Sequence, residues 1–196
     1  MSGVRVVPPG GGRSHWQHEP AHGWIEVLCA PAMPGAPPGF SSGLQELPPL
    51  GKVREHAHPA QTEIFWILRG RALARLDGRV RRVTEGTFLV ASPHARHGFI
   101  NDGEVPFRFL WVLMPAGLET FFEAIGRPRG PGLPDPTPYP RPEAAGAIEL
   151  ATVFETLDPP APPPWDSAPI TDARALAALR REAGEPGCGA GGPGRN

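Results

Sequence analysis

Four residues of the chain have the types and spacing of a metal site. His56 and His58 stand two positions apart, so on a strand both imidazoles point to the same face. Glu63 follows at the head of an apolar run, and His97 falls on a later run. Three imidazoles and one carboxylate form a borderline donor set. It suits one divalent transition metal ion: iron, manganese, nickel, copper or zinc. A six-coordinate ion held by these four would keep two positions open for water, dioxygen or substrate. A lone histidine on a strand is ordinarily a half-buried residue with a satisfied ring, and an H-x-H pair says little by itself. Four ligand types on neighbouring strands are harder to explain that way, because burying them without a partner costs several kcal/mol.

Such a site needs strands to position it, and the chain supplies them between residues 24 and 114. Trp24–Cys29, Leu44–Leu47, Val53–His58, Glu63–Leu68 and Thr87–Ala91 read as short strands, with His97–Ile100 and Phe107–Met114 after them. Ala72–Leu76 and Val80–Val83 flank Asp77-Gly78, a two-residue hairpin signal, because glycine tolerates the positive φ of that turn. Many short strands separated by turn residues predict an antiparallel sandwich or barrel. After Pro115 the period changes. Leu118, Phe121, Phe122 and Ile125 form one apolar face of a short helix ending at Gly126, expected to pack on the barrel.

The ends differ from this middle. Gly and Pro number 25 and 28 in 196 residues, and 13 of the prolines fall between Arg127 and Pro169. Residues 1–23 read as a loose arm, although His15, His18 and His22 lie close together there. Residues 127–196 read as a Pro/Gly-rich extension. Within it, 144–157 is expected to make one or two helical turns. A helix is expected over 171–183, capped by Thr171 or Asp172, with Leu176 and Leu179 as its large apolar residues. That face is too narrow to fold alone, so it must dock on the barrel or on another subunit, or stay partly disordered. Residues 184–196 are expected to be unstructured.

Composition excludes several function classes. With 19 basic and 20 acidic residues the net charge is −1, which predicts no nucleic-acid partner. No apolar run approaches the ~20 residues that span a bilayer, and no signal peptide is evident, so a cytoplasmic protein without a membrane partner is expected. Cys29 and Cys188 are too few for a disulfide scaffold; Cys29 is expected to be a small buried apolar residue. Around the four donors, His94 and Arg96 are read as a solvated loop, with contact to an anionic substrate as the alternative. Gln61 and Thr62 are candidates to hydrogen-bond Glu63. Phe65, Trp66, Phe99, Phe107, Phe109 and Trp111 are expected in the core or lining the barrel.

The stretch GKVREHAHPAQTEIFWILRG (Gly51 to Gly70) resembles the first motif of the cupin superfamily, with His56, His58, Glu63 and Gly70 in register and Gly51 one residue too close. GTFLVASPHARHGFIN (Gly86 to Asn101) resembles the second motif. Gly86, His97 and Asn101 are in register; Ser92 stands where Pro is usual and His94 where Gly is usual. The resemblance covers about residues 24–126, and the segment after the barrel looks like the small bacterial cupins labelled quercetin-dioxygenase-like. It implies an all-β double-stranded β-helix, or jelly roll, with His56, His58, Glu63 and His97 as metal ligands in its mouth. The function expected first is a metal-dependent dioxygenase acting on a small aromatic or enol-type substrate, with Glu63 also taking a proton as catalytic residue. The alternatives are a metal-dependent isomerase or lyase and a non-catalytic binding module. The pattern is also compatible with a homodimer, because antiparallel barrels have edge strands that pair.

Overall fold

Strands form where apolar residues alternate with polar ones, because successive side chains leave a strand on opposite faces. The computed structural model describes residues 4–33, 39–134 and 136–184. In chain order the elements are β1 (Arg13–Trp16), β2 (Trp24–Cys29), β3 (Ser41–Leu47), β4 (Lys52–His56) and β5 (Thr62–Arg69). There follow β6 (Arg71–Leu76), β7 (Arg79–Thr84), β8 (Phe88–Ala91), β9 (His97–Ile100) and β10 (Phe107–Met114). The remainder are α1 (Leu118–Ile125), β11 (Arg127–Arg129), α2 (Ala145–Leu150) and α3 (Ala173–Glu182).

The strands make two antiparallel sheets, ordered β11-β1-β2-β3-β10-β5-β8 and β4-β9-β6-β7. The fold is a mainly-β jelly roll with short helices. Along β10, Phe107, Phe109, Trp111 and Leu113 are buried while the residues between them are less so. Phe65, Phe99, Phe107 and Phe109 meet at ring-centroid distances of 5.1–5.9 Å and form the aromatic centre of the core. At the β6–β7 hairpin Asp77 and Gly78 have φ of 45° and 81°, as a two-residue turn between Leu76 and Arg79 requires.

Sequence and structure part at the ends. β1 lies inside the stretch read as a loose arm and pairs with both β2 and β11. β11 in turn lies in the stretch read as linker. Arg129 is clamped between the rings of Trp16 and Trp24, at 5.0 and 4.6 Å. Tyr139 donates its hydroxyl to the Trp16 carbonyl at 2.7 Å. The sheet therefore extends past both predicted limits of the barrel. Trp66 is a second correction: it points outward from β5 and is 50% exposed. Cys29 is half-buried rather than fully buried, and Cys188 lies outside the described residues, as do residues 185–196.

Two helices match their sequence signals. α1 buries Leu118, Phe121, Phe122 and Ile125. α3 starts at Asp172, whose carboxylate accepts from the Arg174 N–H at 2.8 Å, and docks on the barrel through Leu176 and Leu179. These two join Trp165, Leu73, Val80 and Ile100 in a second apolar cluster on the outer side of the small sheet. Among the described residues no helix is long and apolar enough to cross a membrane.

Candidate metal centre

The two sheets bring the four donors together. β4 and β9 pair so that His56 lies opposite His97. Glu63 comes from β5 of the other sheet. His58 was expected on the strand with His56, but β4 ends at His56 and His58 lies two residues past that end. Its ring still converges with the others. All four side chains are buried, and each offers one ligand atom within 4.8 Å of the rest.

The shortest contacts run to one carboxylate oxygen. Glu63 Oε2 lies 3.0 Å from His58 Nε2, 3.0 Å from His97 Nε2 and 4.0 Å from His56 Nε2. The opposite nitrogen of each ring faces a main-chain carbonyl: His56 Nδ1 to Arg54 at 2.9 Å, His58 Nδ1 to Val153 at 2.7 Å and His97 Nδ1 to Ala95 at 2.9 Å. A carbonyl can only accept, so Nδ1 carries the hydrogen and the Nε2 lone pair is aimed inward. Lone pairs and a carboxylate gathered this closely repel unless a proton or a cation lies among them. Donors about 2.1 Å from a shared ion stand ~3–4 Å from each other, and the three distances from Glu63 Oε2 to the imidazoles fall in that range. The donor set therefore fits a divalent metal ion.

The protonation tendencies follow from the same geometry. Burial, then the charges of His97, His58 and Arg54, holds His56 well below the usual imidazole value. Burial also opposes the proton on His58, but the hydrogen bond and charge of Glu63 outweigh it and raise this histidine. For Glu63 burial pushes upward, and the hydrogen bonds and charges from His58 and His97 reverse that, holding it below the usual carboxylate range.

A segment from beyond the barrel completes the site. Phe154 lies 5.2 Å from the His56 ring, 5.1 Å from His58 and 4.7 Å from Phe121, between centroids. The Glu155 N–H donates to the Ala57 carbonyl at 3.1 Å, and the Glu155 carboxylate bonds His94 Nδ1 at 2.8 Å. His56 and Glu63 border a cavity whose apolar wall includes Phe65, Phe109, Phe121, Phe122 and Phe154. Sequence reasoning placed 144–157 as weak helix and missed this role. The only local signal was an aromatic residue after a helical turn.

The other residues singled out near the donors fall elsewhere. The carboxamide oxygen of Gln61 accepts from the Ala60 N–H at 3.3 Å, and Thr62 pairs with Met114 in the sheet; Glu63 Oε2 faces His58 and His97 instead. Arg96 is committed to buried Glu55 at 3.1 Å. His94 is exposed, matching the solvated loop.

Comparison with known proteins agrees with the motifs. The Cupin_2 family (Cupin domain) matches residues 43–113. Tetracenomycin polyketide synthase protein TcmJ of Streptomyces glaucescens is 30% identical over 99 residues, 49% of this chain and 66% of the relative. Protein SchB of Streptomyces halstedii is 30% identical over 93 residues, 47% of this chain and 67% of the relative. The chain spans 60–67% of the length of the Streptomyces relatives it matches. The polyketide cyclase RemF from Streptomyces resistomycificus superposes with a TM-score of 0.49 at 23% identity, covering 57% of this chain and 79% of that one.

Proposed function

The chain belongs to the cupin family, and from that premise we propose that it is a metal-dependent enzyme acting on a small aromatic or enol-type substrate. One observation carries the reading: three inward Nε2 lone pairs and one carboxylate converge beside an aromatic-walled cavity. His56, His58, Glu63 and His97 would hold the ion. A bound divalent ion supplies Lewis acidity toward a carbonyl or enol oxygen and, where redox-active, electron transfer. The protein's own part is to orient and to move a proton. The phenylalanine wall excludes water and stacks a flat substrate. Glu63 is the one carboxylate among the four donors, held ionised by its histidine neighbours, and its Oε2 is the atom to take a proton from an enolisable substrate. The balanced charge keeps nucleic acid outside the proposal.

Two reactions fit this arrangement. A dioxygenase is the first. The second is an oxygen-independent isomerase or lyase reaction, suggested by the similarity to Tetracenomycin polyketide synthase protein TcmJ. Turnover of flavonols and of poly-β-carbonyl aromatics, followed with an oxygen electrode and repeated anaerobically, separates them. Oxygen uptake matched to substrate loss supports the dioxygenase; undiminished anaerobic turnover supports the second. In either case Glu63→Gln is expected to lower kcat by at least about a hundredfold. Retained turnover in that variant would reject the proton-transfer role.

A further inference from the structure

The cavity has a polar wall that the four donors do not use. Gln17, His18 and Gln45 line it together with His56 and Glu63. The two glutamines are engaged with each other, Gln45 Nε2 donating to Gln17 Oε1 at 2.9 Å. His18 is different. It is 6% exposed, and its Nδ1 faces the Glu19 carbonyl, so that nitrogen carries the hydrogen and the Nε2 lone pair points away from it. Nε2 is buried and has no hydrogen-bond partner among the described residues.

The backbone holds this ring in place. The His18 carbonyl accepts from the Ala21 and His22 N–H groups at 3.1 and 3.3 Å, and the Lys52 N–H donates to the Pro20 carbonyl at 3.0 Å. The turn is thereby tied to the start of β4. Burial pushes His18 below the usual imidazole value, which keeps it a neutral acceptor. A fixed, buried acceptor without a partner is unfavourable in the free protein, and a ligand that donates to it relieves that cost. The charged residues of the wall are already paired, Arg54 and Arg141 with Glu149 and Lys52 with Asp166 and the Pro164 carbonyl, and five phenylalanines line the cavity beside them, so a ligand that fits the phenylalanines and His18 is a flat ring system bearing a hydroxyl.

We propose that His18 Nε2 is a substrate-binding point of this cavity, accepting the hydroxyl hydrogen of a fused-ring phenol or enol. This rests on reading the cavity as the substrate pocket, but it does not depend on the metal. His18 would therefore set which hydroxylated ring binds, a role distinct from that of the four donors.

The test uses the full chain, measured by calorimetry both with chelator and after metal loading. The probes are 2-naphthol and 2-methoxynaphthalene, alike in shape, of which only the first can donate. The wild type is expected to favour the naphthol by about fivefold or more in the chelated state. His18→Leu is expected to abolish the preference while leaving affinity for the ether unchanged; His18→Gln, which can accept, should keep part of it. Should His18→Leu fail to fold, long-range 1H–15N spectra of the wild type serve instead: the His18 Nε2 resonance should move on adding 2-naphthol while Nδ1 stays protonated. An unmoved resonance, equal loss of both probes in the variant, or no binding of either probe overturns the proposal. Failure of the metal reading would show separately, as no ion retained after loading.

Discussion

His56, His58 and His97 share one device, a main-chain carbonyl that fixes the ring and turns Nε2 toward Glu63. Loss of two rings should therefore remove the ion rather than loosen it. Elemental mass spectrometry after reconstitution is expected to find about one transition metal per wild-type chain and essentially none in His56→Ala, His58→Ala. A wild type that takes up none of the five ions under reducing conditions would reject the centre. These four residues were legible in the sequence because strand periodicity and short turns are local. His18 and Phe154 were not, because each acquires its place only when a distant segment returns to the barrel. His94 shows a third case. It stands where the second motif has Gly, and its φ of 66° is the conformation for which that glycine is suited. The turn survives the exchange, with the His94 N–H still donating to the His58 carbonyl at 2.8 Å.

Among the elements, those with a full period were readable and those without one were not. The apolar face of α1 spans two helical turns and could be read from spacing alone. β1 (RSHW) and β11 (RPR) are 4 and 3 residues long, too short to show alternation, and exist because they pair with each other while β1 also pairs with β2. α2 is 6 residues long, and what matters is the chain after it, where Val153, Phe154 and Glu155 touch His58, His56 and Ala57. Phe154 thus ties the extension to the donors by packing. Phe154→Ala is expected to lower stability by about 3 kcal/mol, the usual loss for a buried ring, read as a reduced midpoint in urea. An unchanged midpoint would mean that this segment does not pack on the site in solution.

Across the whole molecule, buried charges join parts that are far apart in sequence. Glu55 is fully buried between Arg75 and Arg96, at 3.0 and 3.1 Å. Asp102 is fully buried between Arg82 and Arg180, at 2.6 and 2.9 Å, which fastens α3 to the barrel. Lys52, the only lysine, bonds the Pro164 carbonyl. None of these pairs could be read from the sequence, since partners such as Arg180 and Asp102 lie 78 residues apart. The buried histidines give the molecule a pH dependence of definite sign. Burial lowers His15, His18 and His56 in the folded chain. As pH falls through the ordinary imidazole value near 6.5, the unfolded chain takes up these protons and the folded chain does not, so stability falls. His58, raised by Glu63, acts in the opposite direction, its contribution being fully present below that value and lost as pH rises through its folded pKa. Three groups against one predict a net loss on acidification, by up to about 1.4 kcal/mol per pH unit for each proton of difference. Thermal unfolding with chelator should therefore give a lower Tm at about pH 5.5 than at about pH 7.5, and His18→Leu, lacking one of the three, should flatten the slope. A Tm that rises on acidification would mean that the Glu63–His58 pair, rather than burial of the other histidines, governs the protonation of the folded chain.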